Sequence, residues 1–145
     1  MVDVVTEIVI DRPREAVARY AADPDNAPGW YANIKAVKWE SSPPLTVGSK
    51  LAFKAQFLGM TLDYVYEFTE LDPDRKLVMR TAQGPFPMQT TYTWADAEGA
   101  ATRMTLRNTG EPAEFSAVAD LVMAPMMRRA MRKDLARLKL ILEAA

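Results

Sequence analysis

The chain has 145 residues, 49% apolar and 26% charged, and its 18 basic and 19 acidic side chains leave a net charge of -1. Those proportions fit one ordinary soluble globular domain over 1–145 and exclude the broad positive field with which a nucleic-acid binder holds a polyanion. Cysteine and histidine are both absent, which removes disulfides, thiolate chemistry, histidine-dependent triads and histidine metal sites, so no metal or cofactor is expected.

Residues 2–10 alternate loosely and are rich in β-branched side chains, which predicts a half-buried strand. The opening residues lack a basic start and a continuous apolar segment, and no run of about 18 apolar residues follows anywhere; a cytoplasmic location without stable membrane insertion is expected. Asp11, Pro13 and Glu15 are helix-start signals, and Val17, Tyr20 and Ala21 share a face, which predicts a short helix over 13–22. The turn-rich stretch 23–31 ends in the adjacent aromatics Trp30 and Tyr31 and reads as a helical turn followed by a loop at one rim of a sheet. From Ile34 to Glu40 the pattern is strand-like again, and Ala36, Val37 and Trp39 break its alternation, as a bulge would.

Lys50 to Leu58 places Leu51, Phe53, Ala55 and Phe57 on one face and Lys54 and Gln56 on the other, a period of two that a helix would scramble. Gly59 marks a turn, after which Leu62, Tyr64, Tyr66 and Phe68 line one face against Asp63, Val65, Glu67 and Thr69. A Pro73-centred turn leads to a short strand over 77–81 whose facing stays open. Beyond the stiff Gly84-Pro85-Phe86-Pro87 connection, Met88, Thr90, Tyr92 and Trp94 alternate with Gln89, Thr91, Thr93 and Ala95. A hairpin-type loop over 96–99 precedes the last strand, in which Thr102, Met104, Leu106 and Asn108 alternate with Arg103, Thr105 and Arg107.

Gly110 and Pro112 close the sheet, and 115–142 predicts a long helix whose Met123, Met127, Met131, Leu135, Leu138 and Leu142 recur every three or four residues. Pro125 removes one backbone hydrogen bond within it and predicts a bend near Leu121 and Val122. Seven strands followed by one methionine-rich helix describe an α+β fold in which the helix lies across a curved antiparallel sheet, a layout suited to enclosing a space.

The element order, together with Ala22-Asp23-Pro24-Asp25-Asn26-Ala27-Pro28-Gly29-Trp30-Tyr31, the strand-turn-strand run from Glu67 to Val78 and the closing Met126 to Lys139, resembles the START-like, or SRPBCC, superfamily and in particular its polyketide cyclase/dehydrase-like branch. The resemblance covers nearly the whole chain. It implies a helix-grip fold, a curved seven-stranded sheet around the last helix with two short helical segments after the first strand, and an apolar cavity between sheet and helix. Members include lipid carriers, hormone receptors, aromatase/cyclases and chaperone-activating domains, so the fold leaves chemistry undecided. The lack of histidine departs from family enzymes that use one as acid or base.

Trp30, Phe53, Phe57, Tyr64, Tyr66, Met79, Phe86, Met88, Tyr92, Trp94, Met123 and Met127 form the expected ligand-binding set, because methionine adapts to irregular guests and tyrosine adds an orienting hydroxyl. Packed core is the competing reading for each. Arg80 joins the set if its strand turns it inward, where its planar fork suits a carboxylate. The loop at 84–88 and the segment around Trp30 are the expected gate. Asp63 and Glu67 share the face opposite the aromatics and read as a solvated surface paired with Arg80 or Arg103, and Arg128, Arg129, Arg132 and Lys133 read as an ordinary solvated helix face. No serine sits in a nucleophile elbow and no glycine-rich phosphate loop occurs.

The leading expectation is a binder of a small hydrophobic or amphipathic molecule, acting as monomer or homodimer and with no nucleic-acid partner. The alternatives are a cyclase, aromatase or dehydratase working through Tyr64, Tyr66 or Tyr92, one of which would need a depressed pKa, and a protein-interaction module.

Overall fold

Strands β1 (Val2–Ile10), β2 (Ile34–Trp39), β3 (Lys50–Phe57), β4 (Met60–Asp72), β5 (Lys76–Gln83), β6 (Met88–Ala97) and β7 (Ala101–Gly110) form one antiparallel sheet in the order β1-β7-β6-β5-β4-β3-β2. Helices α1 (Arg14–Ala22) and α2 (Ala27–Trp30), with a 3-10 turn at Pro24–Asn26 between them, connect the two edge strands, and α3 (Ala117–Ala144) follows the sheet. The computed structural model describes residues 2–57, 59–83, 87–110 and 117–145, without the side chains of 57 and 117–120. The expected stiff connection at 84–86, Pro112 and the first two residues of the expected long helix lie outside the described residues.

The period-two patterns become sheet faces as expected. Leu51 and Phe53 on β3, Tyr64 and Phe68 on β4, Tyr92 and Trp94 on β6, and Met104 and Leu106 on β7 are all buried. The bulge expected in β2 is the register shift between Ile34 and Ala36. Two further shifts along β4, at Val65/Tyr66 and Phe68/Glu70, were not visible in its even alternation. Each inserts an unpaired residue that bends the strand and raises the local twist, which is how a sheet this wide curls around a helix.

The hairpin between β6 and β7 is shifted from the expected loop at 96–99, because the strands stay paired as far as Ala97 and Ala101. Gly99 (φ 73°) and Ala100 (φ 62°) then take left-handed backbone in succession. Only glycine adopts that region without its Cβ meeting the backbone, so Ala100→Gly is expected to raise unfolding stability by about 0.5–1 kcal/mol in urea titrations.

Helix α3 packs on the concave face unevenly. Met131, Leu135, Leu138 and Leu142 are buried, whereas Met123 and Met127 are half-buried and Leu121 and Val122 are exposed. The C-terminal half is also tied down by polar contacts: Lys139 Nζ donates to the Val9 carbonyl (2.7 Å), Arg12 Nη1 to the Leu142 carbonyl (2.6 Å), and the Asp11 N–H to Glu143 Oε2 (2.8 Å). The helix runs as one element through Pro125, and the missing proline N–H leaves the Leu121 carbonyl without its intrahelical donor. Sheet and helix together make the helix-grip arrangement.

Candidate functional site

The segment after α1 delivers two aromatics to the concave face. Trp30 ends α2, and Tyr31 leaves helical conformation (φ -80°, ψ 122°). The two rings lie against each other at 4.1 Å between centroids. Trp30 is fully buried and also meets Tyr92 (5.8 Å), which in turn meets Trp94 edge-on (6.0 Å). The Tyr31 and Tyr92 hydroxyls share a hydrogen bond of 2.5 Å.

Across the sheet, Phe53 and Tyr66 meet edge to face at 5.6 Å, and Tyr64 lies beside Tyr66 at 5.9 Å. The Tyr66 phenol interacts with Thr90. Thr90 donates from Oγ1 to Asn108 Oδ1 at 2.6 Å. A string of polar atoms therefore runs through a face that is otherwise apolar.

Asp134 completes the string from the helix. It is 4% exposed, and its Oδ1 accepts the Ala32 N–H at 3.0 Å. One turn further on, Arg137 Nε donates to the Gly29 carbonyl at 2.7 Å, so α3 grips the chain on both sides of Trp30. Burial pushes the Asp134 carboxyl up to about 6, against the opposing pull of the Ala32 N–H and the Arg137 charge.

Burial also raises the tyrosines. Tyr31 rises well above the ordinary phenol range, through burial first and then the neighbouring Tyr92, and Tyr92 itself is raised by burial with the Tyr31 hydrogen bond opposing. Tyr64 and Tyr66 are raised by burial as well. The expectation of a tyrosine with a depressed pKa is thus reversed: removing a phenol from water disfavours the phenolate, and each stays a neutral donor. The group that can exchange a proton near neutrality is Asp134.

Of the expected ligand-binding set, Trp30, Phe53, Tyr64, Met79, Tyr92 and Trp94 are buried on the concave side, and Tyr66, Met88, Met123 and Met127 are half-buried. The side chains of Phe57 and Phe86 lie outside the described residues. Arg80 is corrected: it is exposed and in register with Glu67 and Gln89, on the outer face, because β5 turns Leu77 and Met79 inward. Asp63 and Glu67 are on the outer side as expected, but among the described residues neither forms an ion pair with Arg80 or Arg103.

Sequence reading missed Asp134 and Tyr31. Asp134 stands three residues after Met131 and four before Leu138, inside the buried stripe, and an acid in that position was the available signal. The indole N–H groups of Trp30 and Trp94 are buried without a hydrogen-bond partner among the described residues. Elsewhere, an open groove of about 390 Å³ lies between Ala22–Asp25 and Trp39, Pro43, Pro44 and Leu45. Its indole N–H is already satisfied by Asp25 Oδ1 (2.9 Å).

A family model for polyketide cyclase/dehydrase and lipid transport proteins matches residues 1–143. Among solved structures, the chain is similar to TTHA0849 of Thermus thermophilus, at 20% identity and a TM-score of 0.83, covering 98% of this chain and 97% of that one. The Zhui aromatase/cyclase of Streptomyces sp. R1128 has 13% identity and a TM-score of 0.79, covering 97% of this chain and 93% of that one. A START superfamily protein of Mycobacterium smegmatis has 14% identity and a TM-score of 0.74, covering 98% of this chain and 94% of that one. No curated protein matches the chain by sequence. At these identities the structural likeness carries the fold alone.

Proposed function

The chain belongs to the polyketide cyclase/dehydrase and lipid transport family, and from that premise we propose that it binds a small apolar or amphipathic molecule, a lipid, isoprenoid or polyketide-like aromatic, between the concave face of the sheet and the first half of α3. The observation that carries this reading is the polar string of Tyr31, Tyr92 and Asp134 within an apolar core. Burying hydroxyls and a carboxylate costs free energy that phenylalanine and leucine would spare. Such groups serve to orient the polar end of a guest.

The half-buried Met123 and Met127 on α3, with Tyr66 and Met88 on the sheet, supply apolar surface still open to cover by the guest's body. Covering it contributes about 25 cal/mol per Å² before the costs of association. The two unpaired indole donors suit a carbonyl or ether oxygen.

The test is titration with a dihydroxyanthraquinone and, separately, with oleate, followed by tryptophan emission, beside native mass spectrometry of freshly purified protein. Saturable shifts are expected, and Tyr92→Phe should weaken the anthraquinone about five- to tenfold through loss of one hydrogen bond. Flat titrations together with protein that carries no small molecule would count against the reading.

A second reading, a cyclase, aromatase or dehydratase, is favoured by Asp134, whose carboxyl at about 6 is suited to proton transfer near neutral pH. In it Asp134 accepts the proton, and Tyr31 and Tyr92 polarise the carbonyl as neutral donors. Asp134→Asn would then abolish turnover of an unstable poly-β-ketone mimic while leaving its binding intact.

A further inference from the structure

We propose that the outer face of the first half of α3 docks this protein reversibly on an anionic bilayer surface. The inference stands apart from whatever the concave face binds. Six of the chain's 18 basic residues lie between Arg128 and Lys139, on a chain whose net charge is -1. The acid within that stretch, Asp134, is buried and turned to the sheet. Arg137 is committed to the Gly29 carbonyl, and Lys139 to Glu143 and the Val9 carbonyl. Arg128, Arg129, Arg132 and Lys133 have no carboxylate partner among the described residues.

An ordinary solvated helix face interleaves the two signs, so that acids and bases at i and i+4 support each other. This one does the reverse. Arg128 with Arg132, Arg129 with Lys133 and Lys133 with Arg137 each set two positive charges four residues apart, and such pairs destabilise a helix. The chain holds no internal remedy for them among the described residues; an external layer of anions supplies one.

The same face carries apolar groups at its N-terminal end. Leu121 is 75% and Val122 58% exposed. With Pro125 they continue the arc of Arg129, Arg132 and Lys133 at spacings of three and four, opposite the stripe of Met131, Leu135 and Leu138. From Leu121 to Lys133 the face spans about 18 Å. Two aliphatic side chains that enter the headgroup boundary, beside four long cationic side chains that reach phosphates, match the requirements of interfacial binding. A convex helix surface meets a plane of headgroups more readily than it matches the shape of a folded partner. Screening within about 8 Å at physiological salt leaves the acids on the rest of the molecule too distant to cancel the patch. Among the described residues no helix is long and apolar enough to cross a membrane, so the contact is peripheral.

The experiment is cosedimentation with vesicles of phosphatidylcholine, with and without phosphatidylglycerol, at low and at high salt. Binding is expected on the phosphatidylglycerol vesicles and should fall as salt rises. The double variant Arg129→Glu with Arg132→Glu should lower the partition coefficient by at least about tenfold, since each cation near an anionic surface contributes about fivefold. Leu121→Ser with Val122→Ser should lower it severalfold. All four residues are outside the core, and unchanged unfolding midpoints would verify that both variants keep the fold. No binding to phosphatidylglycerol vesicles, equal binding to pure phosphatidylcholine, or binding untouched by both double variants would each overturn the proposal. Retention on a polyglutamate resin without any vesicle binding would also overturn it, in favour of an acidic protein partner.

Discussion

Trp30→Ala is expected to remove about 3–5 kcal/mol of unfolding stability, the range for truncating a fully buried aromatic. The ring is 0% exposed and is pressed between Tyr31 and Tyr92. Its backbone is held on both sides, by Asp134 at Ala32 and Arg137 at Gly29. A segment clamped in this way cannot collapse into the space that the indole leaves, so the transfer and cavity costs both remain. Against a typical total of about 5–15 kcal/mol the variant would be marginal at growth temperature. Trp30→Phe should cost less than half as much, because it retains most of the apolar volume and deletes an N–H that has no partner among the described residues. Urea unfolding of the three proteins checks the ordering. A loss of less than about 1 kcal/mol for the alanine variant would mean that Trp30 already borders empty space.

The second expected result concerns pH. The Asp134 carboxyl has a pKa of about 6 when folded against 3.8 for an ordinary aspartate. Between those two values the folded chain holds more protons than the unfolded one, so this group's contribution favours folding at acid pH. It is fully present below about pH 4 and is lost as pH rises through about 6, which leaves a buried charge that costs roughly 2 kcal/mol at neutrality. Asp134→Asn keeps an acceptor for the Ala32 N–H and removes the charge. The variant should therefore be more stable than the parent by about that amount at neutral pH and nearly equal to it near pH 4.

Asp3 and Glu143 work in the opposite sense. Their carboxyls are held below the usual range by the hydrogen bonds from Arg107 and Lys139, and their small contributions fade as pH falls. The difference between parent and variant across pH isolates Asp134 from both. A constant difference from acid to neutral pH would mean that its carboxyl titrates at an ordinary value.

The faces of β3, β4, β6 and β7 were readable because alternation reports side-chain direction, and direction alone decides which residues meet a helix laid across the sheet. The bulge in β2 was readable because a strand that breaks its period must insert a residue. The shifts along β4 were not, since its alternation is undisturbed and the irregularity sits in its pairing with β5. Arg80 was ambiguous in a strand too short to show a period, and pairing with Glu67 and Gln89 decided its side. Tyr31 was passed over because adjacent helical residues diverge by about 100°. It joins Trp30 because the chain leaves the helix at that residue. Asp134 was hidden by its class, since an acid inside an apolar stripe is read as a boundary of the stripe rather than as a member, and the phenol shifts depend on depth that a sequence does not state.

The strand β2 at the sheet's margin has one more consequence. It is six residues long, is irregular at Ile34/Ala36, and presents the exposed lysines Lys35 and Lys38. A short, kinked border studded with ammonium groups offers an incoming ribbon neither a straight ladder of amides nor a neutral approach. Crowded copies of this chain are thereby discouraged from zipping together into fibrils along that rim.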